Sequence, residues 1–259
     1  MDLRRVERID PPSPEDFAAH YVKPSRPVIL RGAAAGWPAM TRWSAAYFTA
    51  RFGDRMVPAL RTGGAALYDP QAGLTYDRIR FADYLALLEA KTPTELYVVF
   101  RVHEVMPELF DDIIRPPYCS DAGWARSRFW CAAPDTKGVF HRDLPENLYA
   151  QIIGRKRFLL LDRRLTRMVH RHSFFSGVPN YSPVDAAAPA LAAHPRFRVA
   201  PLWSAEIEAG DLLFIPSLWW HQAHSFDTSV SINLWWVRGA SVALAKAAEL
   251  YMRVRKLRL

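Results

Sequence analysis

The chain has 259 residues, 50% of them hydrophobic, with 20 prolines, nine tryptophans and a formal net charge of +8. That length and apolar content fit one domain with a sizeable core, or at most two small ones. The only two cysteines, Cys119 and Cys131, could pair, but nothing in the sequence suggests a secreted disulfide scaffold, and no apolar run is long enough to span a bilayer. The opening MDLRRVERIDPP lacks the apolar core of a signal peptide, so a reduced, cytoplasmic protein is expected. A sequence pI near 9.7 would suit an acidic or anionic partner. Much of the excess sits at 163–171 and 253–258 rather than along a nucleic-acid stripe, and reads as ordinary surface charge.

Ser13 followed by Pro14 is a helix start and predicts a short helix over 15–21. Val28, Ile29 and Leu30 predict a buried strand, closed by a Gly/Pro loop. An amphipathic helix over 43–52 ends at Gly53, and a strand follows at 57–61. Phe81, Tyr84, Leu87 and Leu88 recur at helical spacing over 81–90. ELYVVFRV at 95–102 is a strong strand, and residues 128–132 enter the main sheet.

Residues 147–161 read as a hairpin. Asn147, Tyr149, Gln151 and Ile153 alternate with Leu148, Ala150 and Ile152, and Gly154-Arg155 is a two-residue turn of the Gly-X kind. Such a hairpin pairs Ile153 with Lys156 and sets Lys156 on the face of Asn147, Tyr149 and Gln151. A mostly polar face opposite an apolar one is poor core and predicts the lining of a site. Residues 165–205 read as an irregular insertion or lid. A turn at 209–211 leads to a strand at 212–215. A last strand over 228–237 puts Ser229, Ser231, Asn233 and Trp235 on one side. A helix over 240–257 closes the chain. Its stripe of Ala243, Ala247, Leu250, Val254 and Leu257 would pack on the domain or on a second copy, giving a homodimer.

The chemistry concentrates in GVFHRDLPENLYAQIIGRK at 138–156. An imidazole and a carboxylate at i and i+2 on extended backbone, His141 and Asp143, point to one side. His221, from a distant strand, completes a face of three ligands. Two His and one carboxylate with positions left open is the pattern for non-heme Fe(II) that activates O2. HRDLPEN also resembles the protein-kinase catalytic loop. However, Asn147 comes one residue early, and neither G-x-G-x-x-G nor Asp-Phe-Gly is there to hold phosphates and metal. His224 is expected near the site without being a ligand, or on the surface. His170, His172 and His194 carry little weight as a second metal site, and Trp219, Trp220 and Trp236 read as core and wall.

HRD at 141–143, Asn147, GRKRF at 154–158, GDLLFIP at 210–216, WWH at 219–221 and SINLWW at 231–236 occur in that order, after PVILRGAAAGWP and RWSAAYF. As a set covering nearly the whole chain, they resemble the JmjC or cupin-like 2-oxoglutarate oxygenases. The branch resembled most is that of the asparaginyl hydroxylase that inhibits hypoxia-inducible factor. The resemblance implies a mainly β fold with flanking helices, a double-stranded β-helix or jelly roll. It would form one domain over 1–239, with an N-terminal part at 1–94, a jelly-roll core at about 95–239, and a C-terminal helix at 240–259. It implies Fe(II) on His141, Asp143 and His221, and 2-oxoglutarate with its far carboxylate on Lys156 and Tyr97. Asn147 and Asn233 would stand near cosubstrate and iron, with Trp235 as an aromatic wall. Gly138 departs from the pattern, where a Thr often donates to the cosubstrate. The implied reaction is hydroxylation of a C–H bond, most simply on a protein or peptide side chain, using O2 and releasing succinate and CO2. The alternatives are a hydroxylase or demethylase of a small molecule or RNA base, and a non-catalytic cupin-like binding module. The intact triad with Lys156 speaks against the last.

Overall fold

The computed structural model describes residues 3–62, 74–119, 124 and 126–237. Two β-sheets lie face to face. The smaller has the strand order β1 (Leu3–Arg5), β11 (Leu202–Ile207), β10 (Lys156–Leu161), β13 (Trp220–Ser225), β8 (His141–Arg142). The larger runs β2 (Arg8–Ile9), β3 (Val28–Leu30), β12 (Leu212–Ile215), β9 (Glu146–Ile153), β14 (Ser229–Trp236), β7 (Arg128–Ala132), β6 (Leu96–Arg101), β4 (Met56–Arg61), β5 (Tyr76–Arg80). Neighbours are antiparallel except for the edge pairs β1–β11 and β2–β3. This is the jelly-roll arrangement that the sequence motifs imply.

The two-residue period of the strands decides what each face meets. On the larger sheet Leu148, Ala150, Ile152, Phe129, Cys131, Val230, Ile232 and Leu234 turn outward to a core built with the helices. Tyr149 turns inward and packs with Phe158, Leu160 and Leu213 between the sheets. The helices cover the outer face. α1 (Pro14–Phe17) starts at Ser13, whose Oγ accepts from the Asp16 N–H at 3.1 Å, and continues as a π-helical turn over Ala18–Val22. Then come α2 (Ala39–Arg42), α3 (Ala45–Phe52), α4 (Phe81–Glu89) and α5 (Val102–Val105). Ser44 caps α3, accepting from the Tyr47 N–H. Phe129 anchors this layer, stacked on Phe100 at 4.9 Å and edge-on to Phe48 at 5.6 Å. Asp112 is fully buried beneath it, accepting from Arg42 at 2.8 Å, from the Trp43 indole at 3.0 Å and from the Tyr47 hydroxyl.

The hairpin expected over 147–161 is not formed. β9 pairs with β12 and β14, whereas β10 pairs with β11 and β13. At Gly154-Arg155 the chain crosses from one sheet to the other. The strand pattern was right, but a Gly-X turn reverses direction without specifying the neighbours. Both strands are buried on two faces and find better partners in separate sheets. Gly154 sits at φ +75°, and a Cβ there would meet the Thr228 carbonyl at 2.3 Å. Lys156 therefore faces Tyr149 across the sandwich rather than standing beside it.

The irregular stretch over 165–205 is also shorter than expected, because its end forms β11. The part before it holds two 3-10 turns, Arg163–Met168 and Pro195–Val199. Val169, Val184, Ala186, Phe197 and Ala200 pack with Phe140, Leu159, Leu161 and Trp220 on the outer face of the smaller sheet. It is thus a packed layer of its own. The helix expected over 240–257 lies outside the described residues.

Candidate active site

His141 and His221 stand directly opposite each other on β8 and β13. Asp143 follows two residues after His141, in the turn after β8. That turn is latched to the one before β13. The Leu218 N–H donates to the Asp143 carbonyl at 2.7 Å, the Ser217 N–H to the Glu146 carboxylate at 2.8 Å, and the Ser217 hydroxyl to the Leu144 carbonyl at 2.5 Å. Leu218 adopts φ +63° to make this corner.

The imidazoles are oriented from behind. Nδ1 of His141 lies 2.8 Å from the Val139 carbonyl, and Nδ1 of His221 lies 3.0 Å from the Trp219 carbonyl. Each Nδ1–H donates there, leaving the Nε2 lone pair aimed at Asp143. The two Nε2 atoms stand 3.9 and 3.5 Å from Asp143 Oδ2, and the three ligand atoms lie within 4.8 Å of one another. Burial, reinforced by the neighbouring His221, pushes His141 down to about 4, so its ring is neutral near pH 7. Asp143 Oδ2 is buried with no hydrogen-bond partner. An orphaned carboxylate oxygen facing two imidazole lone pairs fits a divalent cation of the Fe(II) type.

Lys156, the first residue of β10, is fully buried. Its ammonium donates to the Tyr149 hydroxyl at 2.6 Å, to Tyr97 at 3.0 Å and to Ser231 at 3.3 Å, all on the larger sheet. Burial, with Tyr149 alongside, pushes the Tyr97 hydroxyl well above its usual pKa, so it stays protonated. Among the described residues no carboxylate pairs with Lys156. A buried ammonium held only by neutral hydroxyls is suited to an incoming anion.

Between these poles lie the other expected residues. Asn147 is buried with Oδ1 unpartnered, directly opposite Trp235, whose indole N–H is also buried and unpartnered. Asn233 Oδ1 accepts from the Trp130 indole at 2.8 Å. At Gly138 an added Cβ would meet only the Ala223 backbone at 3.8 Å, so the position has room for the side chain it lacks. His224 falls on the opposite face of β13 from His221 and lies 3.4 Å from Asp135. The His170 and His194 rings lie tilted to each other with centroids 5.0 Å apart, without a third ligand among the described residues. Trp219, Trp220 and Trp236 are buried in three separate apolar clusters, as core.

Sequence reasoning missed four residues. Tyr149 and Ser231 lay on faces already marked as polar, and the alternation could have given them a role. Tyr181, edge-on to His141 at 5.6 Å, comes from the irregular stretch and has no local signal. Arg128 stacks its guanidinium 4.7 Å over the Trp235 ring, and nothing near it in sequence indicates this.

The cupin-like domain family matches the chain over residues 14–241. Lysine-specific demethylase 8 of Xenopus tropicalis is 29% identical over 236 residues, covering 89% of this chain and 52% of the relative. The human bifunctional peptidase and (3S)-lysyl hydroxylase JMJD7 is 28% identical over 259 residues, covering 87% of this chain and 82% of the relative. Human tRNA wybutosine-synthesizing protein 5 is 25% identical over 249 residues, covering 89% and 77%. The chain thus spans about half the length of the demethylase relative. No helix among the described residues is long and apolar enough to cross a membrane.

Proposed function

The chain belongs to the cupin-like domain family, and from that membership we propose that it is an Fe(II)- and 2-oxoglutarate-dependent dioxygenase hydroxylating a C–H bond on a protein or peptide side chain. One observation carries the reading. Paired strands of the smaller sheet and its turn carry both a triad with an orphaned carboxylate oxygen and a buried ammonium that pairs with no carboxylate among the described residues. A metal ion would answer the first and the far carboxylate of a dicarboxylate cosubstrate the second. His141, Asp143 and His221 would hold the iron. Lys156 and Tyr97 would take the far carboxylate of 2-oxoglutarate, with Tyr149 and Ser231 fixing the ammonium. Asn147, Asn233 and Trp235 would line the cleft beside them. Bound iron supplies the oxidation, in which one oxygen atom of O2 enters the substrate C–H bond and the other enters 2-oxoglutarate as it becomes succinate and CO2.

The printed names of two relatives, a lysine demethylase and a lysyl hydroxylase, support a protein substrate, and the tRNA relative supports an RNA base as the second reading. The segments PVILRGAAAGWP and RWSAAYF keep the asparaginyl-hydroxylase branch within the proposal. Two free, buried cysteines accord with a cytoplasmic setting. The test is an anaerobic titration of metal-free protein with Fe(II) and 2-oxoglutarate, following the visible charge-transfer band. The wild type should develop the band, Asp143→Ala should lack it, and Lys156→Ala should need far more cosubstrate. A folded wild type without the band would overturn the reading in favour of a non-catalytic module.

A further inference from the structure

We infer that Arg128 holds a carboxylate of the substrate beside the reacting C–H bond, so that the site takes an Asp or Glu side chain of an acidic peptide. The inference rests on the oxygenase reading above and names its substrate class. Arg128 opens β7 and shares its inward face with Trp130, whose indole reaches Asn233, while Phe129 between them enters the helical core. It is directly opposite Asn233 in the β7–β14 register. Its guanidinium lies 4.7 Å over the ring of Trp235, which stands opposite Asn147 in the β14–β9 register.

Arg42, Arg55, Arg61, Arg80 and Arg101 each sit on a carboxylate, but no described carboxylate pairs with Arg128. Loading the site does not supply one. Asp143 and one cosubstrate carboxylate balance the iron, and Lys156 balances the other carboxylate. The Trp235 indole N–H, buried and unpartnered on the ring that the guanidinium covers, adds a second donor at this place. A guanidinium fork with an indole N–H is a set of donors only, and its complement is an acceptor-only group such as a carboxylate. A lysine ammonium would meet like charge here. In a nucleotide the ribose separates the phosphate from the base, whereas the carboxylate of Asp or Glu is bonded directly to a CH2 carbon. The geometry therefore favours an acidic side chain over RNA.

The test uses protein loaded with Mn(II) and 2-oxoglutarate on a positional-scanning array of capped heptapeptides, with wild type, Arg128→Gln and Arg128→Glu run in parallel. A charge-assisted contact predicts an acidic preference at one position of about 10- to 100-fold over Asn or Gln. Arg128→Gln should lose that preference and Arg128→Glu should turn it towards Lys or Arg. Circular dichroism should show that both variants fold, and the array is read at saturating Mn(II) and 2-oxoglutarate. A wild-type band without acidic preference, or a preference unchanged in Arg128→Gln, would overturn this inference alone. Tight binding of polyuridylate that Arg128→Gln weakens, without peptide preference, would overturn it in favour of RNA. A wild type with no band would overturn the oxygenase reading and this inference with it.

Discussion

Among the described residues Lys156 is buried without an anionic partner, an arrangement that is unfavourable for the free protein and, under the proposed function, useful to the bound one. Replacing it with an isosteric apolar side chain should separate the two. Lys156→Met is expected to melt no lower than wild type in the absence of cosubstrate, because it removes a desolvated charge. Its affinity for 2-oxoglutarate should fall about 10- to 100-fold, the worth of a charged hydrogen bond of about 1.5–3 kcal/mol. Thermal melting and the anaerobic titration check the two halves, and reduced stability with unchanged affinity would make Lys156 a structural residue. At this scale the sequence was readable where chemistry is local. His141 and Asp143 share a face because of their two-residue spacing. Arg128 and Tyr181 were invisible because each acts through a residue far along the chain. Lys156 was matched to Tyr149 on the wrong geometric ground, since the two meet across the cleft.

Strands and helices were legible as segments, but their partners were not, because alternation records which side is buried and says nothing of the neighbour. The crossover at Gly154 is the clearest case. Gly154→Ala is expected to destabilise the protein by about 1–3 kcal/mol from the left-handed backbone alone, with the Thr228 carbonyl at 2.3 Å adding to it. Urea unfolding measures this, and a neutral result would mean that the crossover relaxes freely. The helical layer has its own test in Asp112. Burial alone would raise its pKa, but hydrogen bonds from Tyr47, Arg42 and Trp43 outweigh it and hold the carboxyl below its ordinary value. A depressed folded pKa contributes stability that is complete above the unfolded value of about 3.9 and is lost as pH falls through the folded one. Asp112→Asn should therefore cost about 1–3 kcal/mol at neutral pH, with the gap narrowing at strongly acid pH. Urea unfolding across that range checks the sign. A gap that widened on acidification would contradict the pairing.

At the scale of the molecule, the two sheets divide the candidate site residues between them. The smaller sheet and its turn carry His141, Asp143, His221 and Lys156. The larger carries Tyr97, Asn147, Tyr149, Ser231, Asn233 and Trp235. Fold class was readable here because ordered motifs along the chain imply the jelly roll. The division between sheets was not, since β9 and β10 read as one hairpin. The division has a thermodynamic consequence. Under the proposed function, metal alone would engage only the smaller sheet, and 2-oxoglutarate alone would meet Lys156 without a partner at its other end. Together they would join the two, so their stabilisation should exceed the sum of the separate effects. A ligand at 100 times its Kd contributes about 2.7 kcal/mol, which for a chain of this size corresponds to a rise in Tm of about 5–10 °C. Calorimetry with Mn(II), with 2-oxoglutarate and with both should show a small shift for each and a larger one for the pair. Asp143→Ala should abolish the excess, because the metal end of the bridge is gone. Shifts that simply add would mean that triad and ammonium serve separate ligands, and the single-cleft account of the site would fall.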